Sequence, residues 1–117
     1  MIEMKLTSVA VIALLFALLQ PQNSFGYNEK QYARFFVTNT CLECDLYRAN
    51  FSGADLTNAD FSGSNLIRAN FQNATLLGVN FNNATLTGAN FNGAMWVDGS
   101  MCKQGSYGRC IKQDDRD

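Results

Sequence analysis

From Cys44 onward a large apolar residue returns at every fifth position. The series runs Leu46, Phe51, Leu56, Phe61, Leu66, Phe71, Leu76, Phe81, Leu86, Phe91, Trp96 and Met101, and no insertion breaks it. A period of five fits neither of the common elements. On an α-helix of 3.6 residues per turn such positions drift around the axis and leave no apolar stripe. On a strand, odd spacing sends successive members to opposite faces. A disordered Asn- and Gly-rich tract fails too, because such tracts lack regularly spaced large apolar residues. The remaining reading is a repeat architecture whose structural unit is a multiple of five residues.

Cut in that frame, the chain reads CDLYR, ANFSG, ADLTN, ADFSG, SNLIR, ANFQN, ATLLG, VNFNN, ATLTG, ANFNG, AMWVD and GSMCK. Each block opens on Ala, Ser, Cys, Val or Gly. Asn or Asp is common at the second position, and Leu or Phe dominates the third. This pattern resembles the pentapeptide-repeat family. The resemblance implies an all-β fold, a right-handed quadrilateral parallel β-helix in which each block forms one side and four blocks complete a coil. Residues 44–103 would then make about three coils, a rod about 14 Å long at the usual strand spacing. Each residue would stack on the one twenty positions later. The inward columns would be Leu46–Leu66–Leu86, Phe51–Phe71–Phe91, Leu56–Leu76–Trp96 and Phe61–Phe81–Met101. The columns Ala49–Ala69–Ala89 and Ala54–Ala74–Ala94 would fill the corners, where bulk does not fit.

A short solenoid needs its ends covered, because the terminal coils otherwise expose core and unpaired backbone. Residues 27–43 read as an N-terminal helical cap. Asn28 is placed to cap a helix with Gln31 as its reciprocal partner. Tyr32, Phe35 and Phe36 give Glu29 to Phe36 one apolar face. Residues 104–117 read as a C-terminal cap with a frayed tail. Ahead of the cap, residues 1–26 read as a signal peptide. The apolar run Val9 to Leu19 is too short to span a bilayer, which needs about 20 residues, and Ser24 and Gly26 are small residues suited to cleavage after Gly26. Glu3 is unusual in such a leader and keeps an uncleaved anchor as the alternative. The expected location is periplasmic or secreted, in a bacterium.

Composition narrows the chemistry. Histidine is absent and the net charge is −1. The chain therefore lacks the commonest general base and metal ligand and the basic stripe of a nucleic-acid binder. No nucleotide-binding loop, nucleophile–base pair or metal cluster stands out, so no cofactor is expected. Asp45, Asp55 and Asp60 occupy the second position of their blocks, where a backbone-bonding role outweighs paired-carboxylate chemistry. Asn50, Asn70 and Asn90 share a column and could form an amide ladder. Asn50, Asn73 and Asn83 open glycosylation triplets that a sequence this rich in Asn, Ser and Thr produces trivially.

The four cysteines, Cys41, Cys44, Cys102 and Cys110, form an even set in a chain read as exported, which suggests disulfides. Four cysteines allow three connectivities. On the rod that the resemblance implies, Cys41–Cys44 and Cys102–Cys110 sit at opposite ends, and that pairing is favoured over bridges spanning about 14 Å, since Cα separations stay under about 7 Å. The same separation argues against a four-cysteine zinc site. Cys41 and Cys44 also form a CxxC, the pattern of thiol–disulfide redox pairs, although its context is a repeat block and not a βαβ unit.

One outward feature stands apart. A twenty-residue coil places Arg48 beside Arg68 and Tyr47 beside Ile67. Like charges on neighbouring rungs repel, and Tyr and Arg are enriched at binding hot spots. These four residues are the candidate contact patch for a protein or an anionic polymer of the cell envelope. The expected function is a small, rigid, non-catalytic, monomeric interaction module. A Cys41/Cys44 oxidoreductase is the alternative. A gyrase-protecting DNA mimic, known in the family, fits less well, since those members are implied to be longer, acidic, dimeric and cytoplasmic.

Overall fold

The computed structural model describes residues 26–113. The leader read from Val9 to Leu19 and the last residues, 114–117, lie outside them. The central feature is a ladder of isolated parallel bridges, each joining residues twenty apart: Thr40 to Asp60, Asp45 to Asn65, Asn50 to Asn70, Asp55 to Thr75, and onward to Thr75 with Met95. Each block contributes one bridge, at its second residue, between turns. The expected β-structure therefore takes the form of single rungs, and no longer strand forms among the described residues. A five-residue block leaves no room for one, because its last residue swings into the left-handed region. Positions 43, 48, 53 and every fifth position through 93 have φ between 54° and 72°. Glycine tolerates that region without cost and asparagine better than most residues, which is why Gly or Asn ends most blocks.

A buried or bridged backbone must satisfy its amides, and one block shows how all five are met. Ala69 N–H donates to Leu66 O and closes the corner. Asn70 N–H donates to Ala49 O in the previous coil, while Phe71 N–H and Asn73 N–H donate to Asn90 O and Asn92 O in the next. The fourth amide, on Gln72, meets no backbone carbonyl and donates to Asn70 Oδ1. The same side-chain turn recurs at Asp45, Asn50, Asp55, Asp60, Asn65, Asn80 and Asn90. This accounts for Asn and Asp at the second position. It also corrects the amide-ladder expectation for Asn50, Asn70 and Asn90, whose side-chain oxygens turn to their own coil.

The interior is an aromatic and aliphatic spine. Phe51, Phe71 and Phe91 stack with centroids 5.2 Å apart at each step, their planes 10° from parallel. Phe61 and Phe81 stack likewise at 5.9 Å. Leu46, Leu56, Leu66 and Leu76 are fully buried, and Ala49, Ala59, Ala69, Ala89 and Ala94 close the corners.

The ladder starts earlier and stops sooner than the spacing of the apolar residues predicts. Thr40 already pairs with Asp60, so the block preceding Cys44 belongs to the coil, and Cys41 lies buried at its third position. At the other end the regular ladder reaches Val97, whose carbonyl accepts from Gly78 N–H. The chain then folds back, pairing Met95 with Met101 and Asn90 with Tyr107 in antiparallel sense. Met101 is consequently half exposed and does not cover Phe81. Trp96 does so instead, stacked on Phe81 at 5.7 Å and edge-on to Phe91 at 4.9 Å.

Helix α1, Glu29–Thr38, covers the first coil. Asn28 Oδ1 accepts from Gln31 N–H, and Asn39, in the left-handed region, caps the helix after Thr38, two residues beyond the expected stop at Phe36. The reciprocal half of the capping box is absent. Gln31 Oε1 instead accepts from Asp45 N–H, and Asn28 N–H donates to Asp45 O. The cap thus bonds to the coil, where it also satisfies carbonyls that would otherwise face solvent: Tyr32 OH donates to Asn50 O at 2.7 Å, and Asn39 Nδ2 to Thr57 O. Phe35 is buried and stacks under Phe61 at 4.7 Å, while Tyr32 lies under Phe51 at 5.5 Å.

Candidate functional site

Two regions of the surface carry the residues that the sequence singles out. The first is the N-terminal end around the CxxC. Cys41 and Cys44 are disulfide-bonded with Cα atoms 5.5 Å apart, and Cys102 is bonded to Cys110 at 5.0 Å. Ser64 holds the first bridge in place. Its hydroxyl is wholly buried, donates to Cys41 O and accepts from Cys44 N–H. In other corners the leading amide bonds directly to the carbonyl three residues back. Here the serine hydroxyl stands between the two groups.

A cleft of about 310 Å³ opens beside this disulfide, lined by Gln31, Arg34, Thr38, Thr40, Leu42 and both cysteines. Both cysteines are more than nine-tenths buried. Cys41 Sγ lies 3.8 Å from Gln31 O, a carbonyl in the first turn of α1, and a carbonyl dipole there disfavours a thiolate, whereas reactive CxxC thiols face the free amides of a helix N-terminus. Arg34 is the cleft's cation and would act in the opposite sense. The geometry suits a structural bridge better than a cycling one.

The second region is the outer wall that carries Tyr47, Arg48, Ile67 and Arg68. The coil brings all four together. Arg48 N–H donates to Ile67 O, Arg68 N–H donates to Thr87 O, and the Asp45–Asn65 bridge fixes the rung beside them. Tyr47 and Ile67 are half-buried, and both arginines are exposed. Gly26 packs on the Tyr47 ring, where an added Cβ would come to 3.0 Å. Asp45, the acid nearest in sequence, directs Oδ1 to Tyr47 N–H and Asn65 Nδ2. Neither arginine is ion-paired among the described residues; the ion pair found there joins Lys112 to Asp98.

The arginines have a backbone peculiarity that the sequence reading missed. They occupy fifth positions, with φ of 62° and 58°. A side chain other than Gly or Asn held there costs about 1–2 kcal/mol. Of the fifth positions from 43 to 93, Glu43, Arg48 and Arg68 are neither Gly nor Asn. The stacking shows why such residues are rare. A fifth-position side chain leans over the next rung, where glycine makes room: a Cβ on Gly63 would meet Glu43 at 3.0 Å, one on Gly78 would meet Asn58 at 2.1 Å, and one on Gly93 would meet Asn73 at 2.3 Å. The columns therefore alternate: Glu43–Gly63–Asn83, Gly53–Asn73–Gly93 and Asn58–Gly78. Arg48–Arg68–Gly88 is the exception, with two long side chains on adjacent rungs.

Among the described residues no group of three metal-ligating side chains gathers, and no helix is long and apolar enough to cross a membrane. The carboxylates show backbone service. The Thr57 hydroxyl and then the Thr57 amide lower the Asp55 pKa, and the Ser62 hydroxyl and amide do the same for Asp60.

Comparison with known proteins gives one family. The model of pentapeptide repeats matches residues 44–76 and 64–95, with eight copies. Among solved structures, HetL from the cyanobacterium Nostoc sp. strain PCC 7120, a pentapeptide repeat protein involved in heterocyst differentiation regulation, is 35% identical over 53% of this chain, with a TM-score of 0.42. Rfr23, a pentapeptide repeat protein of the cyanobacterium Cyanothece 51142, is 36% identical over 49% of this chain, with a TM-score of 0.47. The matches span 32% and 40% of those two chains. No curated protein matches.

Proposed function

With pentapeptide repeats running through residues 44–95, this is a pentapeptide-repeat protein, and from that premise we propose that it is an exported, non-catalytic binding module. It presents the Tyr47/Arg48/Ile67/Arg68 wall of a right-handed quadrilateral β-helix to a partner in the cell envelope. The observation that carries this reading is the accounting of backbone amides. Because rung, corner, side-chain turn and helical cap hold every amide of the two wall blocks, 44–48 and 64–68, outward side chains are displayed there at fixed spacing and need little ordering on binding. Export is supported by the apolar run Val9–Leu19 and by cysteines that are all paired, which suits an oxidising compartment. Both ends of the rod are covered, which supports a monomer.

The test is co-purification from the envelope fraction. A retained partner should be lost, or weakened at least tenfold, when Arg48 and Arg68 are both replaced by alanine. An unchanged partner would remove this wall from consideration. The oxidoreductase alternative has one observation in its favour, the cleft at Cys41–Cys44. Titration with a mild dithiol reductant separates the two. A structural bridge resists reduction while the rod is folded, whereas a catalytic one cycles.

A further inference from the structure

The double arginine column runs against three local rules at once. It places non-glycine residues in the left-handed region. It breaks the alternation with glycine that the other fifth-position columns keep. It also roots two like-charged side chains on neighbouring rungs, whose backbones lie about 4.8 Å apart. Glycine at either position would leave one long side chain in the column, end the like-charge pairing and relieve the left-handed strain at that position. Residues retained against the preferences of their own fold are a mark of function. We propose that Arg48 and Arg68 form a two-guanidinium clamp for a dianionic phosphoryl group, with Tyr47 and Ile67 packing against the organic part of the ligand.

The choice of anion follows from geometry and charge. A carboxylate carries one charge and two oxygens in a plane, and a single arginine fork satisfies it. Two forks rooted on adjacent rungs diverge unless something lies between them that carries two charges and acceptors in more than one plane. A phosphate monoester meets that requirement. An extended acidic peptide fits less well, since same-side residues lie about 6.6 Å apart, two strand rises, and would not match adjacent rungs. The proposal rests on the reading of this wall as the contact surface and adds its ligand class.

The experiment titrates the oxidised protein with phenyl phosphate, inorganic phosphate and acetate, following the arginine Nε–Hε resonances by NMR. Saturable shifts at Arg48 and Arg68 are expected with both phosphates, stronger for phenyl phosphate, and none with acetate. Arg48→Gly or Arg68→Gly should weaken binding at least about tenfold, the loss of one charge-assisted fork, while leaving the melting temperature unchanged or higher. Binding that survives both substitutions, equal binding of acetate, or a melting temperature that falls on either substitution would overturn the clamp. Phosphatidic acid vesicles against plain phosphatidylcholine vesicles then separate a lipid headgroup from a soluble ester. If the envelope partner still depends on both arginines but no phosphate binds, the phosphoryl assignment alone fails.

Discussion

The two ends of the rod solve one problem with different materials. At the first coil the exposed rungs are sealed by a helix, which contributes Phe35 and Tyr32 to the aromatic spine and bonds through Asn28, Gln31, Tyr32 and Asn39. At the last coil the chain seals itself by turning back. Ser106 O, Cys102 O and Ser100 O accept from Phe91, Gly93 and Trp96 amides in place of a further coil. Each end nevertheless carries a short disulfide and a wholly buried serine. Ser64 bridges Cys41 O and Cys44 N–H, while Ser106 Oγ donates to Lys103 O and accepts from Ile111 N–H. The comparison teaches that ending a coil requires specific hydrogen-bonding groups more than any one element. Apolar cover can come from a helix or from a single tryptophan.

The largest difference between the ends should appear in the apolar cover. Phe35→Ala removes a fully buried ring and should cost about 3–5 kcal/mol in urea unfolding. Trp96→Ala, at a partly exposed ring, should cost about 2 kcal/mol. Equal losses would mean that the helix is no more deeply seated than the returning chain. The serines should bring the ends back into agreement. Ser64→Ala and Ser106→Ala each orphan two backbone groups and should each cost about 1–3 kcal/mol, read from the same unfolding curves. A neutral outcome at one end would show that the corner there closes without its hydroxyl.

The smallest effect is on pH, and it differs between the ends. Burial, then the nearby Tyr27, pushes the Tyr32 hydroxyl up to about 12, and burial raises Tyr27 as well. A tyrosine raised in the folded state contributes stability that is full below its ordinary value near 10 and lost as pH rises toward 12. Amide exchange should therefore show α1 loosening first in alkali. At the other end the Lys112 ammonium, then the Ser100 hydroxyl and amide, hold the Asp98 carboxyl well below the usual carboxylate range. Its contribution is present above about pH 4 and declines as pH falls through the depressed value. Asp55 and Asp60 add the same sign along the rod. Acid should thus release the C-terminal turn, and Lys112→Ala should reduce that acid sensitivity, leaving the part held by the Ser100 hydroxyl and amide.

Most of the coil was legible because one repeat unit decides it. Every fifth residue must be large and apolar and its leading neighbour must be small, and the family resemblance, which puts four such blocks in a coil, then places Phe51 on Phe71. The rest depended on where the pattern stops. Met101 keeps the five-residue frame in sequence, yet its block leaves the coil after Val97, and nothing in GSMCK marks that exit except the glycine and serine. Thr40 joins the ladder although Asn39-Thr-Cys looks like linker. Asn39 was nonetheless a readable helix stop, since asparagine tolerates the left-handed cap. Ser64 could also have been noticed as a hydroxyl in a corner otherwise given mainly to alanine. Asn92, buried and accepting from the Gly105 and Ser106 amides, could not, because its block matches its neighbours. At the candidate wall, adjacency of the arginines followed from the twenty-residue coil that the resemblance implies, while their left-handed backbone required the structure.

Through-hydrogen-bond coupling in the labelled protein tests the twenty-residue register most directly. The account predicts scalar couplings from the Phe51 amide to the Asn70 carbonyl and from Phe71 to Asn90, with ring contacts linking Phe51, Phe71 and Phe91. Couplings from these amides to carbonyls four residues back, or rings that share no contact, would contradict it.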